Sequence, residues 1–183
     1  MSTIQKINFE VKSDVIPVVR RAFTLADKTL IDPNNALVLL DGEWMAVNDS
    51  GKLVRAADIA TVGAKALNGS NPTRSYPLWG ERGRTDVQAI GKAAVLFGGW
   101  FEAETRLYDA SAKATGGAEV QYPAITYVGQ PLQVACITIG TRNVVGLVGA
   151  AAPAHTGEIP TVVGYVSALP SANGNKLKFV QGY

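Results

Sequence analysis

The sequence predicts a mainly β protein: an antiparallel β-barrel or sandwich of short strands, with an extended N-terminal arm and at most one or two short helices. Three observations predict it. Charged residues are only 17% of the 183-residue chain, while 19 glycines and 9 prolines punctuate it, a balance that favours short strands and turns over long helices. Residues 100–108 alternate cleanly, with Phe101, Ala103, Thr105 and Leu107 on one face and Glu102, Glu104 and Arg106 on the other. The last third sets strand-like runs at regular intervals between turn signals. This length suits one domain, here residues 31–183, preceded by residues 1–30 as an arm or edge strand, with a subdivision near 110–118 left open. Folding at this size buries roughly 70% of the unfolded chain's surface, so no covalent staple is required.

The elements follow in chain order. Residues 3–11 alternate in part, with Ile7, Phe9 and Val11 opposite Lys6, Asn8 and Glu10, the pattern of a half-buried strand. Val15 to Leu25 is apolar but interrupted by Pro17 and by Arg20-Arg21. Proline cannot donate to a central ladder, so this stretch is an edge strand or an extended arm that ties neighbouring subunits together. Asp32-Pro33-Asn34-Asn35 is a turn. Ala36–Leu40, Asp41-Gly42 and Glu43–Val47 form a hairpin pattern, because both turn positions tolerate positive φ. Asn48 to Gly51 turns again into Lys52–Ala56, completing a three-strand meander with Trp44 and Val47 as core candidates. Residues 57–68 fit a short helix or a strand equally, and residues 69–75 are a loop by composition.

The central stretch, residues 76–109, opens with a turn-rich segment and continues as a small-residue apolar strand to Phe97. Gly91 and Gly98-Gly99 mark a bulge or a close backbone approach. Trp79 and Trp100 flank this section and are expected in the core. After a connection at 110–118, strands are predicted at 119–122, 132–139, 144–149, 162–168 and 176–180. NVVGLV (143–148) and TVVGYV (161–166) read either as a faint duplication or as two glycine-bearing strands with a shared bulge position.

The formal charge is +2 with both signs interspersed, which argues against non-specific nucleic-acid binding through a basic patch. Cys136 is the single cysteine, so no intrachain disulfide or thiolate cluster forms, and its apolar run predicts a buried, inert thiol. The opening MSTIQKINFEVKSD has no apolar signal region and no run reaches membrane-span length, so synthesis in the cytoplasm without membrane contact is expected. The only histidine, His155, lies between small residues without a G-x-S-x-G motif, which argues against a nucleophilic triad. Gly91-Lys92 fails as a phosphate-binding loop, since Asp86 and Ala93 occupy required glycine and hydroxyl positions. Glu102 and Glu104 stand about 7 Å apart on one face, within the range glycosidases use. Arg106 beside them favours an ion-pair ladder instead. Glu81, Arg82, Arg84 and Asp86 read as a solvated loop or as charge-paired contacts to a neighbouring subunit.

From about residue 36 onward the order of features resembles the cement, or head-decoration, proteins of tailed bacteriophages. The residues that carry it are LLDGEWMAVNDSGKLVRA, then YPLWGERGRTDVQAIGKAAVLFGGWFEAETRLYD, then GQPLQV, NVVGLV, TVVGYV and LKFV. The resemblance implies a virion structural protein on the outer capsid surface, with no catalytic residue, metal or cofactor. It implies binding to the expanded lattice of the major capsid protein, as homotrimers at three-fold positions, through broad surfaces. The charged residues put forward for such contacts are Arg20, Arg21, Glu81, Arg82, Arg84, Asp86, Glu102, Glu104 and Arg106. The competing expectations are another phage morphogenetic β-protein of the tail tube, connector or baseplate, and a ligand-binding β-barrel.

Overall fold

The computed structural model describes residues 9–31, 39–48, 50–55, 75–78, 91–111, 113–114, 121–151 and 162–182. Among these, strands β1 (Phe9–Thr24), β5 (Lys92–Thr105), β8 (Pro131–Ile139), β9 (Arg142–Gly149), β10 (Gly164–Ala168) and β11 (Leu177–Gly182) form one antiparallel sheet in the order β1-β5-β11-β10-β8-β9. Strands β2 (Trp44–Val47), β3 (Leu53–Arg55) and β4 (Ser75–Pro77) form a second sheet in the order β3-β2-β4. β6 (Lys113–Ala114) and β7 (Gln121–Tyr122) make a two-stranded ribbon. Among the described residues the helical elements are two 3-10 turns, Lys28–Ile31 and Pro170–Ala172. The protein is therefore mainly β and antiparallel, as predicted. The six-stranded sheet stays open rather than closing into a barrel. Its β9 edge touches the chain beyond β5 through a single bridge, Tyr108 to Leu147, closed by hydrogen bonds from Asp109 N to Leu147 O and from Leu147 N to Leu107 O.

Alternation along the strands builds the main core. Phe101 and Ala103 of β5, Leu177 and Phe179 of β11, Val166 of β10, Leu132 of β8, and Val145 and Leu147 of β9 all turn inward with Phe9 of β1. Trp44 of β2 joins them and lies 6.3 Å from the Phe179 ring. The next residue, Met45, faces the opposite way into a second core with Leu25, Leu39, Leu53, Tyr76, Leu78 and Val95. Successive side chains of a strand point to opposite faces, so β2 is buried on both sides and joins the two cores.

β5 also serves both cores. Ala93 and Val95 belong to the second, Leu96 and Phe101 to the first. Leu96 and Phe101 are separated by an odd number of residues, so one residue must slip between them for both to face the same core. Gly98-Gly99 supplies the slip: Gly99 has φ 110, open to glycine alone at little cost, and the β1–β5 register shifts on both sides of the Val19–Gly98 pair. The predicted bulge is thus real, but the strand runs through it.

Glu43 fastens the small sheet to the large one. Its side chain is fully buried at the start of β2. Arg55 Nε of β3 lies 2.8 Å from Oε1 as an ion pair, Oε1 accepts the Val145 N–H of β9 at 3.4 Å, and Oε2 accepts the Leu40 N–H at 3.0 Å. Burial pushes the carboxyl above its usual range, against the opposing pull of the Leu40 amide, Arg55, the Val145 amide and Arg142.

Several expectations are corrected. The strands are not all short: β1 has 16 residues and β5 has 14. Phe9–Thr24 is the edge strand of the two alternatives, paired to β5 along its length, and Pro17 sits where an edge tolerates it. Asp41-Gly42 does turn, with Gly42 at φ 78, but it does not join two paired strands. β2 has β3 and β4 on its two sides, and Glu43 closes the turn through Glu43 N to Leu40 O, so the meander's outer strand is Ser75–Pro77. Val47 is only partly buried. Trp100 is 48% exposed, because it shares the outward phase of Glu102 and Glu104. Cys136 is exposed, since Ala135 and Ile137 occupy the inward positions of β8. The last-third strands appear within a few residues of their predicted bounds. Residues 57–68, Trp79 and His155 lie outside the described residues. In NVVGLV and TVVGYV the glycines are close-approach positions: an added Cβ would lie 2.6 Å from Leu107 O at Gly146 and 2.6 Å from Val180 O at Gly164.

Trp44→Ala is expected to cost roughly 3–5 kcal/mol, whereas Trp100→Ala should stay within about 0.5 kcal/mol. Urea midpoints measure both, and equal losses would contradict the two placements. Glu43→Ala leaves Arg55 and two amides facing a void, so a loss of about 3–5 kcal/mol is expected at neutral pH. A loss under about 1 kcal/mol would mean that Glu43 does not join the sheets.

Candidate interaction surface

The outward side chains of β1, β5, β11 and β10 form one face. On β5 the outward phase carries Trp100, Glu102 and Glu104, with Phe101, Ala103 and Thr105 inward. On β11 it carries Lys178 and Val180, between inward Leu177 and Phe179. Registry places Glu104 between Glu10 of β1 and Lys178 of β11, and Glu102 opposite Val180.

The ion pairs run diagonally across that register. Lys178 Nζ lies 2.7 Å from Glu102 Oε2, and Ser167 of β10 donates to Glu102 Oε1 at 2.7 Å. Glu104 Oε2 receives Lys176 at 3.1 Å and Lys12 at 3.4 Å, and Lys12 also reaches Glu10 at 3.0 Å. Lys178 and Ser167 hold the Glu102 carboxyl below the usual range, against partial burial. For Glu104, burial is the largest influence and raises it, but hydrogen bonds from Lys176, Asn173 and Lys12 together outweigh it and the net direction is down. Neither is the raised-pKa acid that glycoside hydrolysis needs, so this pair forms a ladder rather than an acid–base couple. Partly exposed ion pairs of this kind add little to stability, because solvent screens them. Their larger effect is to neutralise the face.

Beside the ladder runs an apolar row. Tyr165 of β10 is 53% exposed and pairs with Val180, which pairs with Glu102 next to Trp100. Diagonal neighbours on an antiparallel pair lie within reach of aromatic side chains. The turn carrying exposed Tyr127 and Val128 is held against β10 by a hydrogen bond from Gly129 N to Val166 O at 2.7 Å. Residue type alone does not single out Tyr127, Val128 and Tyr165 in the sequence. Tyr165 alternates out of phase with buried Val166, which is the one signal that could have found it.

Of the charged residues put forward for contacts, Glu102 and Glu104 fall together in the ladder, and Arg106 follows just beyond the end of β5. Arg21 lies at the far end of β1, its guanidinium 5.0 Å from the Phe23 ring and 5.2 Å from Phe97. Arg20 is placed by its backbone, which pairs with Leu96. Glu81, Arg82, Arg84 and Asp86 lie outside the described residues. No group of three or more metal-ligating side chains gathers among the described residues, and no helix there is long and apolar enough to cross a membrane. Compared with protein-family models, curated proteins and solved structures, the chain matches none.

The ladder sets a pH dependence. Carboxyls with folded-state pKa below the unfolded value contribute stability above the unfolded value, and that contribution is lost as pH falls through the folded one. The urea midpoint should therefore fall as pH drops below the ordinary Glu value of about 4.3. Glu43, raised in the fold, acts in the opposite sense: its contribution is complete at low pH and fades as pH rises. The double variant Glu102→Gln, Glu104→Gln should flatten the acid limb, and an unchanged limb would exclude the ladder as its source.

Proposed function

We propose that the protein is a non-catalytic virion component that binds and reinforces the expanded capsid shell of a tailed bacteriophage. The observation that carries this reading is the outer face itself: a sheet surface whose charges are paired with one another, beside the exposed rings of Trp100 and Tyr165. Exposed apolar groups edged by paired charges suit a broad contact, in which aromatic side chains supply area at low entropic cost. The resemblance of LLDGEWMAVNDSGKLVRA and YPLWGERGRTDVQAIGKAAVLFGGWFEAETRLYD to head-decoration proteins supplies the class of partner. In this reading the major capsid protein lattice meets the Trp100–Tyr165 face, and self-association as homotrimers places copies at three-fold sites. The protein resides on the virion exterior.

The test is to add purified protein to expanded capsids lacking it and image the particles. Saturable density at three-fold positions is expected. Trp100→Asp and Tyr165→Asp should each weaken binding at least about tenfold while leaving the urea midpoint unchanged. Rings or tubes in solution without shell binding would instead favour a tail or connector component. Shell binding that ignores both substitutions would exclude this face as the contact.

A further inference from the structure

The end of the ladder leaves one cation without a counterion. Lys12, Lys176, Lys178 and Arg55 all have carboxylates within 4.0 Å. Arg106, the next outward residue after Glu104 on the same run, has none among the described residues, and its Nε is buried with no hydrogen-bond acceptor. An unsatisfied buried donor is costly, and in a native fold it calls for an explanation. Arg106 lines an open depression of about 580 Å³ together with Leu40, Tyr108, Asp109, Ile139 and Asn175. Leu40 and exposed Ile139 make its apolar wall. The Tyr108 hydroxyl donates to Asn175 O at 3.3 Å, across the rim. Asp109, the acidic group of the lining, accepts the Ser111 amide at 2.9 Å and the Ser111 hydroxyl, which engages it with its own turn. Asn175 holds a positive φ of 61, the only described non-glycine residue to do so, in the loop that forms one side.

From this geometry we infer that the depression is a docking subsite for an acidic side chain of a protein partner, carried next to an apolar residue. In this assignment the carboxylate meets the Arg106 guanidinium, whose planar donor fork matches two carboxylate oxygens. The neighbouring apolar side chain covers Leu40 and Ile139. Charge complementarity selects the occupant: a carboxylate here continues the alternation of sign along the face and satisfies the donor that the fold leaves open. A free small molecule is disfavoured, because small ligands hold through burial of most of their surface and this depression is open. The site does not depend on which protein presents the acid, and so it stands apart from the capsid reading.

The test uses nitrogen-15-labelled protein and three probes: N-acetyl-aspartyl-leucine amide, its asparaginyl counterpart, and inorganic phosphate. The Arg106 Nε–H resonance and the Ile139 amide are followed by NMR. Saturable shifts of both with the aspartyl peptide alone are expected, at an affinity reduced at least about tenfold by Arg106→Lys, which keeps the charge and loses the fork. Ile139→Ser, at an exposed position, should also weaken binding and keeps the test open if the arginine variant fails to fold. Equal responses to the asparaginyl peptide would overturn the carboxylate assignment. Equal responses to phosphate would reduce the site to a bare anion contact and overturn the apolar half. No response to any probe would overturn the subsite altogether.

Discussion

The burial of Glu43 is the constraint on which the arrangement of the two sheets depends. A carboxylate removed from water is costly unless each of its oxygens is met by a donor. Here two amides and one cation meet it: the Leu40 N–H of its own turn, the Val145 N–H on the backbone edge of β9, and the Arg55 guanidinium on β3 as an ion pair. Satisfying one side chain therefore fixes the small sheet against the far edge of the large one. It also closes part of that edge, because Val145 N–H would otherwise lack a ladder partner. Leu107 and Asp109 cover the next position along, at Leu147. The β9 edge is thereby protected without a further strand, one of the ways in which open sheets avoid edge-to-edge association.

The opposite edge, β1, is protected differently. It is long, but its ladder to β5 is broken by four register shifts, and Pro17 lies within it. Bulges and proline twist an edge away from further pairing. The same irregularity lets β5 serve two cores, since the slip at Gly98-Gly99 occurs where β1 slips too. A substitution with a Cβ at Gly99 would have to hold φ near 110, which L-residues avoid. The slip that lets β5 serve both cores thus rests on Gly99.

How much of this was legible depended on the range of the interaction. Alternation is local, so the faces of 100–108 and the late strands β8, β9 and β11 could be read directly. The partner of a strand is not local. Asp41-Gly42 has good hairpin chemistry, yet β2 pairs with Ser75–Pro77 and Leu53–Arg55, because a strand buried on both faces takes the neighbours that complete two cores. Hydrophobicity alone also misled. Trp100 and Cys136 were placed inside for their residue type, while the phase of their strands turns them outward. The candidate surface was half visible: Glu102, Glu104 and Arg106 stood out by charge, whereas Lys12, Lys176 and Lys178 become their neighbours only through the β1–β5–β11 registry.

That registry also places the two carboxylates of the face in like surroundings. Catalytic carboxylates need environments that push their pKa values apart, usually in a cleft with unequal burial. Glu102 and Glu104 instead move in the same direction, each held by lysines from the adjoining strands. On the proposed reading, a partner would meet this surface with its charges already paired internally. Little desolvation of isolated ions is then required, and the exposed aromatic row is free to supply the buried area. Arg106 is the exception at the end of the ladder. A guanidinium with no carboxylate partner among the described residues, next to a neutralised face, would add little to attraction at long range but much to register at short range, since a partner bringing an acid to that point would pair it. If the inferred subsite holds, the neutral face and Arg106 are complementary: one permits a broad contact, and the other restricts where it can form.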